Sequence, residues 1–280
     1  MKRFVCFFFL FLMVPVSSKS QYIIQPPSIP VKVRHKSFYI NKSLQTNNRK
    51  QSSNKNLDEI YEKGATLFEQ GKYKEAVNYF RIGVSRNDVY SCQALARCYY
   101  LGLGVNQDFQ ECVKLYEKAA LKNDDWAEYD LSMCYMQGKG VSQDYAMAFY
   151  WGKKAALQGN SDAQALLGLL YENGNGVGVN EKEATYWYTL AAEKDNTYAQ
   201  ERLLNKYFDP KGSQNFSEGF KWAKKVAEKD INSAQFLLGL CYYHGLGTSV
   251  DMKAAYYWMQ KAAENGSTSA IDFINERKFD

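Results

Sequence analysis

Apolar and polar positions along the chain follow a pattern that repeats every 35 or 36 residues. In each period a leucine is followed four residues later by a tyrosine, a spacing that places both side chains on one face of a helix. The columns are Leu95, Leu131, Leu167, Leu203 and Leu238, and Tyr99, Tyr135, Tyr171, Tyr207 and Tyr242. A fixed period of this length predicts a solenoid of stacked helical units.

Each period also contains a turn and a second helix. Five residues after each tyrosine comes a glycine, which is typical of a helix end, and an Asp or Asn then marks the start of the next helix. The glycines are Gly104, Gly140, Gly176, Gly212 and Gly247. Three of the caps are followed by Glu111, Glu183 or Glu218, as in a capping box. The second helix carries a bulky column formed by Leu115, Trp151, Trp187, Trp222 and Trp258.

The two ends of the pattern are shorter. Residues 61–84 fit the same helix pair with a tighter turn, with Ala76 and Tyr79 in the small and bulky columns. Residues 270–280 contain only an opening helix, in which Phe273 and Ile274 can cover the last apolar face. The pattern therefore predicts about six helix-turn-helix repeats with a C-terminal capping helix.

The stretch LLGLCYYHGLGTSVDMKAAYYWMQKAAENG, which begins at Leu237, resembles the Sel1-like repeat, a relative of the tetratricopeptide repeat. The resemblance covers residues 57–280 and implies an all-α fold, a right-handed α/α solenoid. The resemblance is weakest in the fifth repeat, when residues 61–84 are counted as the first. In this repeat Pro210 replaces a glycine and Leu204 replaces a small residue. Packing is least certain there.

The first 18 residues are expected to be a secretory signal peptide. Lys2 and Arg3 precede an apolar run that ends at Met13, and small residues follow. The run is too short to span a bilayer comfortably, although an uncleaved anchor is the alternative. We place cleavage after Ser18, with Ser20 as a second option, and expect an exported protein that is periplasmic or secreted.

Residues 19–56 are polar and basic without a helical period, and we expect a disordered tether. It is either a solvated linker or a cationic arm that contacts anionic lipid or an acidic partner. Contact with a membrane is expected only through this tether. Ten basic and no acidic residues precede Asp58, so the net charge of +5 leaves −5 for the remainder. This balance gives no support to nucleic-acid binding.

Histidine and cysteine usage argues against a catalytic or metal site. The chain has two histidines, His35 in the expected tether and His244 at a position that varies between repeats. We therefore expect no enzyme, no cofactor and no metal. The cysteines are expected to be small buried residues, although a bridge between Cys98 and Cys112 across one helix pair is conceivable.

The expected function is binding of a protein or peptide partner as an exported scaffold or adaptor. The resemblance to tetratricopeptide repeats implies that the first helix of each repeat lines a concave groove. The alternatives are an immunity-type inhibitor of a toxin, or an envelope protein that binds glycan or regulates an enzyme. The expected partner-binding residues are Arg97, Tyr100, Tyr129, Met133, Met136, Leu169, Glu172, Asn173, Asn205, Phe208, Phe236, Leu240 and Tyr243. Some of them could instead pack between repeats.

Overall fold

A computed structural model describes residues 51–209 and 214–276 of the chain. The predicted signal peptide, most of the predicted tether, Pro210 and Gly212 lie outside this part. Within it the chain forms thirteen α-helices. They are α1 (Gln51–Glu69), α2 (Tyr73–Ser85), α3 (Val89–Leu101), α4 (Phe109–Ala120), α5 (Asp125–Gln137), α6 (Tyr145–Leu157), α7 (Ser161–Asn173), α8 (Glu181–Glu193), α9 (Thr197–Phe208), α10 (Phe216–Ala227), α11 (Asn232–His244), α12 (Met252–Glu264) and α13 (Thr268–Glu276).

The described residues belong to two compact units that divide in the first turn of α8. In the N-terminal unit (residues 51–184), successive helices from α1 to α7 are in contact, and α1 also contacts α3. The predicted helix pair of residues 61–84 is therefore present. Its first helix begins at Gln51, six residues before the expected domain boundary.

The C-terminal unit (residues 185–276) follows the same plan. Successive helices from α9 to α13 are in contact, and the short α13 lies against α12. Phe273 of α13 is buried and shares a small core with Phe236, Leu240 and Met259. The all-α repeat fold is confirmed, and α13 covers the last repeat as expected. No described helix has the length and apolar character that a bilayer-spanning segment requires.

In the described repeats, close backbone approach requires the glycine that follows each column tyrosine by five residues. Gly140 has φ +74°, and a Cβ added there would lie 2.0 Å from the carbonyl oxygen of Phe109. Gly247 repeats this geometry, with φ +75° and the Phe216 carbonyl oxygen at 2.0 Å. Phe109 and Phe216 are the first residues of α4 and α10, so the turn packs against the start of the preceding second helix. A side chain would separate the two.

All five expected Asp or Asn residues cap the start of a second helix, but the capping box is only half formed at Asp108. The Asp108 carboxylate accepts hydrogen bonds from the backbone N–H groups of Gln110 and Glu111, both at 3.0 Å. The reciprocal half of a capping box is replaced, because the Asp108 N–H donates to the Tyr99 carbonyl and Glu111 pairs with Lys114 at 2.5 Å. Side-chain capping therefore stabilises the start of α4, and the glutamate serves a surface ion pair.

A buried glutamine column that the sequence pattern did not reveal joins successive repeats. Gln164, Gln200 and Gln235 each follow the alanine that opens a repeat, and all three are buried. Their side-chain amides donate to the carbonyls of Ala156, Ala192 and Ala227, at 3.2, 3.0 and 3.3 Å respectively. Each carbonyl lies at the end of the preceding second helix and also accepts a backbone N–H from the following loop, so the glutamine adds a second hydrogen bond that ties the next repeat to this helix end.

Candidate functional site: a cleft between α9, α11 and α13

Burial divides the thirteen predicted partner-binding residues into two groups. Six are buried, so the expectation that they form an exposed apolar stripe is wrong: Tyr129, Met133, Leu169, Phe208, Phe236 and Leu240. Their packing follows the alternative in which large side chains fill the space between helices. Seven keep solvent contact: Arg97, Tyr100, Met136, Glu172, Asn173, Asn205 and Tyr243. The role of all thirteen in partner binding stays a prediction.

In the N-terminal unit the predicted positions are engaged by neighbouring side chains. Lys139 donates a hydrogen bond of 2.6 Å to the Tyr100 hydroxyl and lies 4.8 Å from the centre of that ring. Tyr100 also contacts Phe109 edge-on, with ring centroids 5.3 Å apart. Trp126 contacts Tyr129 edge-on at 6.4 Å. These aromatic contacts occupy the face of α3 and α5 that the repeat pattern assigned to a partner.

In the C-terminal unit part of the same face borders a cleft. A cleft of about 510 Å³ lies between α9, α11 and the loop that leads into α13. Four of the predicted residues line it: Asn205, Phe208, Phe236 and Leu240. The others in its lining are Glu201, Leu204, Asn232, Ser233, Ala234, Leu237, Gly266, Ser267, Thr268 and Ser269. The cleft thus has an apolar floor and a rim of amides and hydroxyls.

Small residues at one repeat position explain why the cleft is open. The residue before the small residue that opens each repeat is Tyr90, Trp126 or Tyr198 in three repeats and Asp162 in a fourth. At this position α11 and α13 have Ser233 and Ser269, and both serines line the cleft. A serine in place of a large ring leaves the space between these helices unfilled.

The start of α11 also lacks the cap found at the other first helices. Asp88, Asp124, Asn160 and Asn196 each accept a backbone N–H at the start of α3, α5, α7 and α9. The corresponding residue of α11 is Ile231, which provides no such bond. The first turn of α11 therefore presents its backbone N–H groups at the cleft without a side-chain acceptor.

Amide hydrogen bonds hold the rim in place. The Asn232 side chain donates to the Asn265 carbonyl at 2.9 Å. The Asn265 side chain in turn donates to Oε1 of the buried Gln235, also at 2.9 Å. The loop before α13 is thereby tied to the first turn of α11. The rim of the cleft therefore consists of side chains that hydrogen bonds hold in place.

Glu201 is the one charged side chain in the lining of the cleft. Partial burial raises the pKa of its carboxyl, with no contribution from another charged group. Within the part of the chain that the structure describes, Glu201 has neither a hydrogen bond nor an ion pair. The cleft therefore has one acidic group whose charge is not compensated.

The groups in the cleft suit binding. Its lining contains serines, amides and one carboxylate, and no histidine that could activate a serine as a nucleophile. Across residues 51–209 and 214–276, no cluster of three His, Cys, Asp or Glu side chains could hold a metal ion.

The five described cysteines are buried free thiols. The bridge considered between Cys98 and Cys112 is not formed, since the Cys112 thiol has a hydrogen bond with Cys134 of the next repeat. That bond and burial raise the pKa of Cys112, and burial raises the pKa of Cys98 to about 12. Thiols with such raised pKa values are poor nucleophiles.

Comparison with known proteins agrees with this architecture. The Sel1 repeat matches residues 89–124, 127–160, 161–196, 207–231 and 232–267, which together exceed half of the chain. The shortest match covers the fifth repeat, where the sequence departs most from the pattern. In the yeast Saccharomyces cerevisiae, chitin synthase regulator SKT5 is 36% identical over 69 residues, or 25% of this chain and 10% of that protein. The aligned segment is thus a small part of that relative.

Two crystal structures share the fold over most of the chain. The Sel1 repeat protein from Oxalobacter formigenes is 27% identical, with a TM-score of 0.68 over 78% of this chain and 91% of that one. The protein c5321, a protective antigen in uropathogenic Escherichia coli strains, displays an SLR fold. It is 31% identical, with a TM-score of 0.66 over 80% of this chain and 49% of that one. The repeat matches and the helix pairs show that the chain belongs to the Sel1 repeat family.

Proposed function

We propose that this Sel1 repeat protein is a non-catalytic scaffold that binds a polypeptide partner in the cleft between α9, α11 and α13. The observation that carries the proposal is the cleft itself, with its apolar floor and hydrogen-bonding rim. Protein interfaces combine an apolar centre with a polar edge in this way. Proteins of this repeat family typically bind proteins.

The chemistry of the rim supports an extended peptide as the bound segment. Asn205, Ser233 and Ser269 are exposed and carry groups that can both donate and accept hydrogen bonds. The uncapped first turn of α11 adds backbone donors. A peptide backbone can use such groups while its apolar side chains contact Leu204 and Leu237 on the floor.

Of the two alternative functions, an immunity-type inhibitor is a special case of this proposal, since a protein toxin is itself a polypeptide partner. Glycan binding has less support, because Trp151, Trp187 and Trp222 are buried and cannot serve as sugar platforms. The similarity to chitin synthase regulator SKT5 covers 69 residues, about two repeats, so the shared repeat pattern accounts for it.

We also propose that the protein acts after export. The support is the charged start, short apolar run and small-residue exit of residues 1–18, which lie outside the described part. N-terminal sequencing of the native protein tests this proposal. A mature start near Lys19 is expected, and an intact Met1 on a cytoplasmic product would contradict export.

Peptide display on the full chain tests the binding proposal. A phage library of random heptapeptides is selected on the protein after removal of phage that bind a Ser233→Trp variant, whose cleft is filled. Peptides that bind the native chain at least about tenfold more tightly than the filled variant are expected. Ser249→Trp, at an exposed serine outside the cleft, is the matched control and should bind like the native chain. Failure to recover any cleft-dependent peptide would contradict the proposal.

A further inference from the structure

We infer that the bound segment carries a lysine or arginine that pairs with Glu201 while its apolar neighbours occupy the cleft. The inference rests on the proposed function and specifies the chemistry of the partner. It follows from the arrangement of one uncompensated carboxylate beside an apolar floor.

The lining residues of α9 form one continuous face. Glu201, Leu204, Asn205 and Phe208 are spaced by three, four and seven residues, which places them along one side of the helix. Glu201 stands at the N-terminal end of this face, and the apolar side chains follow it. A segment bound along α9 would thus contact the carboxylate and the apolar floor together.

The negative charge of Glu201 favours a positively charged side chain in the bound segment. A bound segment removes water from the cleft, and a carboxylate that loses water without gaining a partner destabilises the complex. A cationic side chain restores the lost interaction, and a charge pair of this kind sets partner choice more than it sets raw affinity. An acidic segment would place like charges together. No lining residue offers a compensating positive side chain.

The same position in the other repeats supports a special role for Glu201. The corresponding residues of the other full repeats are Gln93, Tyr129, Ala165 and Phe236, none of which carries a charge, and the capping helix α13 has Asp272 there. The repeat fold therefore does not require an acidic residue here. In α9 the acidic side chain lines the cleft, whereas Phe236 at the same position of α11 contributes to its apolar floor.

Charge variants of Glu201 test the inference with the peptides selected above. In the native chain, cleft-dependent peptides should be enriched in lysine or arginine beside apolar residues. Glu201→Gln should weaken a selected basic peptide by about tenfold or more in fluorescence anisotropy. Glu201→Lys should reverse the preference toward matched peptides with glutamate in place of the basic residue. Glu228→Gln changes an exposed carboxylate outside the cleft and should have no effect.

The outcomes separate the inference from the proposed function. Cleft-dependent peptides without a basic residue, or with unchanged affinity for Glu201→Gln, would overturn the inference and leave peptide binding intact. Absence of any cleft-dependent peptide would overturn both. A second copy of the chain is the competing occupant, so sedimentation of the native chain is compared with Glu201→Lys. Self-association that this variant abolishes would also overturn the inference.

Discussion

Helices α5 and α11 open equivalent repeats, yet their first turns differ in two ways. At α5, Asp124 caps the backbone and Trp126 contacts Tyr129 edge-on. At α11, Ile231 provides no cap and Ser233 leaves the cleft open. Both helices keep the leucine and tyrosine columns that define the fold. The difference shows that a cleft can open in this repeat when the first turns of α11 and α13 carry small residues, while the columns that define the fold are kept.

The comparison requires that the two repeats be alike everywhere else, and their turns test this. Gly140→Ala and Gly247→Ala should each destabilise the fold by about 3–5 kcal/mol, because a Cβ would meet a carbonyl oxygen at 2.0 Å in a left-handed backbone. Gly266→Ala has the same backbone strain with no atom within 4 Å, and should cost about 1–2 kcal/mol. Chemical denaturation measures all three. Equal losses for all three variants would show that close approach is not the cause.

Exchange of the aromatic residue of α5 and the serine of α11 tests whether the side chain at this position fills or opens the cleft. Trp126→Ser should destabilise the fold by about 2–3 kcal/mol, because a half-buried ring and its contact with Tyr129 are lost. Ser233→Trp should change stability by less than about 1 kcal/mol, because its site is exposed and unfilled. Thermal unfolding compares the two variants. A large loss with Ser233→Trp would mean that the cleft cannot accept a ring.

The caps can be exchanged in the same manner. Asp124→Ala should cost about 1–2 kcal/mol, since two backbone N–H groups and Gln93 lose their acceptor. Ile231→Asp should stabilise the fold by about 1 kcal/mol, because α11 gains the missing cap. Melting temperatures of the two variants and the native chain measure these changes in stability. A loss of stability in Ile231→Asp would indicate that burial of the isoleucine outweighs the cap.

Titration of Asp124 tests the cap of α5 through the pH dependence of stability. Burial raises the pKa of its carboxyl to about 6, above the ordinary value of 3.8. Since the folded state then binds the proton more tightly, stability should fall as the pH rises from about 4 to 6 and should level off above. Asp124→Asn keeps a capping side chain and should remove this slope. An unchanged pH profile in this variant would exclude Asp124 as its source.

The fold was predictable because its signals are local and repeated. A leucine and a tyrosine four residues apart fix the buried face of each first helix, and the turn glycine is required wherever backbone atoms approach. The binding face was less predictable, because the same spacing describes a surface stripe and a second packing face. Phe236 shows the problem, since it lies on the predicted stripe and is buried against Phe273.

The sequence contains two features that indicate the cleft, but the repeat period alone does not reveal them. Ser233 replaces an aromatic residue and Ile231 replaces a cap, and both changes are visible once the repeats are aligned. Both are departures from the repeat pattern, whereas a repeat is recognised by the positions that keep it. The glutamine column was missed for another reason, since a buried amide is recognised only when its carbonyl acceptor is known.

Hydrogen–deuterium exchange of the full chain with a selected heptapeptide tests the central claim most directly. Peptide binding in the cleft should slow exchange in α9, in the first turn of α11 and in residues 266–269, and should leave exchange in α5 unchanged. The Ser233→Trp variant should show none of these changes. Protection centred on the exposed tyrosines of the second helices, such as Tyr186 and Tyr257, would contradict the account and place the binding surface elsewhere.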